Sequence, residues 1–419
     1  MKQSKRFLQA ISLTPVLLIP LALCFSQELH KEGRYFVAEI DKSFDVKPGG
    51  SLVMQDINGD VDVMTWSNNT VQVHEIRKMD VYTQTEAEAV LKDVESAYVQ
   101  RGNIIEISGP NVSRSYISSR FTIKVPVKFD IKINTRGGDI TVANLAGKVD
   151  LNTSGGDIKI TNIDGIVNAK TSGGDVEVIK TKQQVNVKTS GGDVTIRDVD
   201  GPIDAKTSGG NISVTNNKAY VKAYTSGGDV NLTNVGAEVD AHTSGGDIEV
   251  MGSQGSISVS TSGGDVRLQN IGGNVSAHTS GGDIEAMNVM MGIEAATSGG
   301  DLVLHQIQGF IEGSTSGGDV EAEMTLTDFS KDHHVDLRSS GGDIELTIPA
   351  KLPATISAEI YISRSDYRDD FDITSDFDLT KESITEGRDI IIKANSKING
   401  GGDLINLKTS SGNIVIKKK

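Results

Sequence analysis

Cysteine is nearly missing. The one copy, Cys24, lies within the first 26 of 419 residues, so an internal disulfide framework is excluded. Aromatic residues make up 5% of the chain and proline only eight positions, a composition suited to thin β architecture rather than one thick globular core. Cationic excess is missing too: 41 Lys and Arg stand against 56 Asp and Glu, which argues against a nucleic-acid partner. The middle of the chain carries no helical apolar stripe. Enzyme signatures are absent as well, with no nucleophile elbow, no His-Glu-x-x-His and no phosphate-cradling loop ahead of a helix. The chain is expected not to be an enzyme and to have no catalytic residues.

Glycine, by contrast, is plentiful at 46 residues, and much of it falls in one phrase. Between Thr135 and Leu346, Thr-Ser-Gly-Gly-Asp followed by Ile or Val returns repeatedly. Its Asp, or a stand-in, occupies Asp139, Asp157, Asp175, Asp193, Asn211, Asp229, Asp247, Asp265, Asp283, Asp301 and Asp319, always 18 residues apart, and Asp343 follows after 24. A short period held this strictly marks each unit as one layer of a stack. Within one unit, Ile158 and Ile160 alternate with polar residues, and so do Val167, Ala169 and Thr171. Alternation of this kind predicts strands with one buried face. Asn162 to Gly165 and Ser172-Gly173-Gly174 are turn chemistry between them. A lone pair of strands cannot bury its apolar face, whereas stacked rungs share a core. The fold class is therefore all-β, a β-solenoid of 18-residue two-strand rungs. Roughly five inward side chains per rung contribute about 1–2 kcal/mol each, and twelve rungs make a rod on the order of 55 Å. A three-sided left-handed helix of hexapeptides has the same period, but the apolar slots here fall into two groups.

The flanks divide the chain. Residues 1–26 read as a secretory signal peptide, with Lys2, Lys5 and Arg6 before an apolar run; losing them takes the formal charge from −15 to −18. An exported protein of the cell envelope, surface or periplasmic, is the expectation. Cleavage after Ser26 would leave a cysteine-free chain. Alternatively, Leu21-Ala22-Leu23-Cys24 reads as a lipoprotein box, with Leu23 where a small residue belongs, and lipidated Cys24 would be the only tie to a membrane. Residues 27–134 read as a β-rich capping region with one helix over Thr85 to Tyr98, capped by Thr85 with Glu88 three residues on. Asp56 to Val63 looks like a degenerate rung. Residues 135–348 are the regular solenoid, interrupted by an insertion near Thr325 to His334, and 349–419 form a C-terminal β capping region that keeps the last edge from pairing.

Candidate chemistry lies in the repeated columns. The aspartates, Asp157, Asp175 and Asp193 among them, would stack about 5 Å apart, a spacing that invites bridging calcium. The competing reading has each Asp accept N–H groups within its own Ser-Gly-Gly turn, where glycines supply positive φ. Asn211 and Asn413 in the same slot favour that reading. Calcium aside, no cofactor is expected. The inward threonines, Thr153 to Thr315, are expected to form an internal hydrogen-bonded ladder. Outside them, Lys170, Lys188, Lys206 and Tyr224 form a basic column that would meet a glycan through point charges. Asp204, Asp240, Glu294 and Glu312 nearby make a solvated mixed face the plainer alternative. In the insertion, Asp328, Asp332, His333 and His334 are metal-ligand types, but neighbouring residues on a strand point apart, and a flexible loop is the simpler reading.

Several features resemble the bacterial putative-adhesin family, a set of β-solenoid domains of unknown function similar to auto-transporter adhesin head domains. They are the leader, Ile57-Asn58-Gly59-Asp60-Val61 with Trp66, and the Val125-Pro126 step. The Gly-Gly-Asp rungs share the likeness, as does Ile398-Asn399-Gly400-Gly401-Gly402 with its Ser-Gly-Asn ending. The rungs here are more uniform than that family's pattern. The resemblance implies a non-catalytic surface or structural rod presented to a cell-surface glycan or an envelope protein. A polysaccharide-binding or polysaccharide-processing β-helix, acting along the basic face or the 325–334 loop, is the alternative.

Overall fold

The computed structural model describes residues 27–92, 97–109, 117–363, 371–387 and 389–419. The signal-peptide and lipobox expectations, Cys24 included, lie outside them. Two parallel sheets run the length of the chain's repeats. Each rung gives a four-residue strand to one sheet, such as Val167–Lys170, and a six-residue strand to the other, such as Val176–Thr181. The register is uniform: Val167 faces Val185 and Ile158 faces Val176, each eighteen residues on. The two-strand rung is thus the form adopted, and the three-sided alternative is not.

Six side chains per rung point inward rather than five. In the rung opened by Asp157 they are Ile158, Ile160, Ile163, Val167, Ala169 and Thr171, all buried. The extra one, Ile163, breaks the period-two alternation. The reason is Asn162, whose φ of 57° turns the chain through the left-handed region and resets which face the next residue takes. The same corner recurs at Asn144, Lys180, Asp198, Asn216, Asn234, Gly252, Asn270, Asn288 and Gln306.

The turn at the other corner departs from expectation in its glycines. Gly174 is not at positive φ; it is glycine because a Cβ there would lie 2.1 Å from the Gly156 carbonyl oxygen of the preceding rung. Close stacking of backbones, not turn conformation, demands it.

At both ends the rungs stack out of chain order. Strand Gly50–Ile57 lies between Phe129–Thr135 and Ile104–Ser108, and Gly59–Trp66 lies between Ile140–Leu145 and Ile117–Pro126. Asp60 there accepts the Asp139 N–H at 3.2 Å, as a repeat aspartate does. At the other end Asp403–Thr409 and Ile414–Lys418 slide between the 335–348 rung and the earlier strands Ala354–Ile362 and Ile373–Ser375. Twelve rungs in chain order, with two more at each end, make a stack about 70 Å long. Antiparallel strands then cover an edge at each end, Thr70–Met79 and Tyr35–Asp45 on the long-strand sheet at one end and Asp389–Ile398 and Thr380–Glu386 on the short-strand sheet at the other.

The helix, α1, spans Gln84–Leu91 and starts one residue before the expected Thr85; residues 93–96 of the expected span lie outside the described residues. Thr83, not Thr85, caps it, and Glu86 closes the capping box. Ala87, Val90 and Leu91 are its buried residues. Ala89 is exposed.

Candidate binding faces

The aspartate column is built by backbone bonds between rungs. Asp157 Oδ1 accepts the Asp175 N–H at 2.8 Å, and Asp175 Oδ1 accepts that of Asp193 at 2.8 Å. Asn211 continues the chain, taking the Asp229 N–H at 2.8 Å. The expected bond within each turn is therefore replaced by one across the rung boundary. One carboxylate oxygen per rung is committed to it, which relieves like-charge stacking through peptide dipoles. No group of three or more His, Cys, Asp or Glu suited to a metal ion occurs among the described residues.

The inward threonines do not bond one another either. Thr189 Oγ1 donates to the Gly174 carbonyl of the preceding rung at 2.9 Å and accepts the Gly192 N–H of its own turn at 3.3 Å. Each hydroxyl thus satisfies two buried backbone groups that would otherwise lack partners.

The basic column forms as the spacing predicts. Lys170 stands beside Lys188, Lys188 beside Lys206 and Lys206 beside Tyr224 on successive rungs of the short-strand sheet. The four are not equivalent. Lys206 pairs with Asp204 at 3.0 Å and lies 5.6 Å over the Tyr224 ring. On its other side Tyr224 meets the His242 ring, centroids 6.4 Å apart, and its hydroxyl bonds Asp240. Burial, and then the Asp240 carboxylate, push that phenol up to about 12. Tyr224 is a member of the stack, not a free platform for a sugar. Lys170 and Lys188 are exposed and make no ion pair among the described residues. They line a shallow groove of about 490 Å³ with Asn152, Asn168 and Asn186.

The insertion is tied down. His333 is 4% exposed, its ring bonded to the Lys331 and Pro353 carbonyl oxygens at 2.8 and 3.0 Å. His334 faces outward, held by Asp332 at 2.7 Å and Glu312 at 2.9 Å and stacked on Phe310. The two imidazoles point apart, one buried and one toward the surface just ahead of the strand Val335–Ser339, and share no ligand position.

Two features have no counterpart in the sequence reading. Glu75 is fully buried in the first cap, its oxygens taken by Arg77 at 2.7 and 3.2 Å, Ser119 at 2.6 Å and the Tyr98 hydroxyl. Burial and then that carboxylate raise the Tyr98 pKa far above the phenol range. With every lone pair answered, this cluster joins three strands and is structural. The alternation of Glu75 and Arg77 reads as a solvated face, and nothing local betrays it. The second feature is a ladder of amides along the left-handed corners: Asn162 to Asn144 at 2.8 Å, Asn234 to Asn216 at 3.1 Å, Asn288 to Asn270 at 2.7 Å. An Asn-rich column five residues after each Asp was its available signal. It borders a groove of about 780 Å³ on the edge of the long-strand sheet.

A search of curated proteins finds no match. Among solved structures, one titled a putative adhesin from Bacteroides fragilis aligns at 14% identity over 66% of this chain and 95% of its own, with a TM-score of 0.26. Another, titled a putative cell adhesion protein from Clostridium sporogenes, aligns at 10% identity over 90% and 99%, with a TM-score of 0.13. Residues 58–256, from the second rung strand of the first cap into the seventh Gly-Gly-Asp rung, match the model of the Toastrack DUF4097 family.

Proposed function

We propose that the protein is an exported, non-catalytic adhesive rod of the cell envelope, and that its short-strand face binds an acidic glycan at Lys170 and Lys188. The observation that carries this reading is the pair of unpaired ammonium groups on successive rungs, flanked by the Asn168 and Asn186 amides in one open groove. Ammonium groups meet sugar carboxylates as point charges, and amides bond hydroxyls. A rung spacing of about 4.8 Å sets cations along the rod at a pitch that an extended polymer lying lengthwise can follow. The flat face has no deep cleft in which a general acid and base would converge on a bond. In the 325–334 segment His334 is held by Asp332 and Glu312, His333 by backbone carbonyl oxygens and Asp328 by Ser330, an arrangement that supports holding the loop rather than processing a chain.

The test is Lys170→Gln with Lys188→Gln against an array of uronic-acid and neutral polysaccharides. Loss of uronic-acid binding by roughly tenfold or more, with an unchanged melt, is the expected outcome. Binding that survives in the double variant removes this face from the account.

A further inference from the structure

The amide ladder has a missing step. Asn216 and Asn234 continue it from Asp198, and Asn270 and Asn288 continue it on the far side, but Gly252 stands between with φ +82°. Asn162, Asn216, Asn234 and Asn288 each donate Nδ2–H₂ to the side-chain oxygen of the preceding rung. At the gap, Asn234 Oδ1 therefore receives no donor, and Asn270 Nδ2 finds no acceptor, among the described residues. The groove of about 780 Å³ runs past this position from Asp198 to Asn270, lined among others by Asn216, Lys218, Asn234, Gly252 and Gln254. Neighbouring Gly236 adds no bulk at its mouth.

We propose that this notch binds a single carboxamide, carried in as the N-acetyl substituent of an amino sugar. Gly252 stands where the ladder's pattern would set one more asparagine side chain, so what completes the notch must offer what that side chain offers. An N–H must point toward Asn234 and a C=O must point back toward Asn270. A trans secondary amide presents those two groups in opposite directions along one line. A hydroxyl cannot satisfy both neighbours at a separation of two rungs, about 9.6 Å between backbones. An extended peptide would bring amides at about 3.4 Å intervals with alternating direction, but the filled steps at Asn234 and Asn270 leave room for one amide only. The sugar ring would lie in the groove against Lys218 and Gln254, which offer polar atoms to its hydroxyls. This groove is separate from the Lys170 and Lys188 face, so the outcome of either test leaves the other standing.

The experiment compares a trimer of N-acetylglucosamine with a trimer of glucose of the same linkage, by titration against the intact protein. The N-acetylated trimer is expected to bind roughly tenfold tighter or more, since only it supplies the N–H and C=O that bond the two asparagines. Gly252→Asn fills the notch with the side chain that its neighbours already carry at positive φ. This variant is expected to melt no lower than the parent and to lose the binding. Equal affinity for the two trimers overturns the proposal. So does retained binding in Gly252→Asn, or tighter binding of a glutamine tripeptide than of the N-acetylated trimer.

Discussion

A threonine hydroxyl decides whether two rungs lie flush. Thr189 answers the Gly174 carbonyl and the Gly192 N–H, both in the buried corner. Thr189→Val keeps the shape and strands both groups, so it should destabilise by about 1–3 kcal/mol, whereas Thr189→Ser should lose much less. The aspartate beside it behaves differently, because its partner needs only an oxygen. Asp175→Asn should be near neutral, as Asn211 already shows in the same slot, while Asp175→Ala removes a bond worth about 1 kcal/mol. Chemical melts of the four variants check both statements. The inward parity of these threonines was legible from alternation with Val185 and Val187. Their partners were not, because a period shows which residues align between rungs but not the offset of fifteen residues that joins a hydroxyl to the previous turn.

Strands and turns were readable because their columns are pure. Val, Ile or Leu after each Asp, and Val or Ile ten residues after it in each 18-residue rung, leave little choice of face. The left-handed corners escaped notice for the opposite reason. Lys180 and Gln306 stand in that column, hiding the conformation that Asn144 and Asn162 share with them. The helix was displaced for a similar reason, since Thr83 and Thr85 both have a Glu three residues on and only packing of Ala87, Val90 and Leu91 chooses between them. The insertion is the element with a pH dependence. Burial lowers the His334 pKa, but its bonds to Asp332 and Glu312 outweigh this and leave it raised. The bond to His334 likewise holds Asp332 below its ordinary value. A raised histidine stabilises fully below its ordinary value of about 6.5 and loses that contribution as pH climbs through the raised value. A lowered aspartate stabilises above about 3.9 and loses it as pH falls through the lowered value. The clamp is therefore strongest from about pH 4 to 6.5. The melting gap between the parent and His334→Gln should be widest near pH 5–6 and shrink toward pH 8.5. A gap that widens with pH would show that His334 contributes by stacking on Phe310 and not by charge.

The rod as a whole is a one-dimensional object whose rungs touch only their neighbours. Removing one complete period, residues 211–228, should leave a folded protein, since Asp193 and Asp229 then meet in the same register. Calorimetry of that deletion should give one cooperative transition, and a chain that no longer folds would mean that the rungs are less interchangeable than their registers imply. The ends were harder to foresee. Gly59-Asp60 and Ser411-Gly412-Asn413 are recognisable as rung phrases, but chain order does not announce that Gly50–Trp66 and Asp403–Lys418 are each stacked inside a later or earlier segment. Such interleaving makes each end depend on both its inner and outer rung, and it fits a rod that must not polymerise end to end.

The central claim, an adhesive rod displayed by the cell, is tested most directly by protease shaving of intact cells followed by mass spectrometry of released and retained peptides. The account predicts release of peptides from residues 139–348 while periplasmic markers stay protected. Full protection of that stretch until the outer membrane is opened would contradict it and leave an internal envelope scaffold in its place.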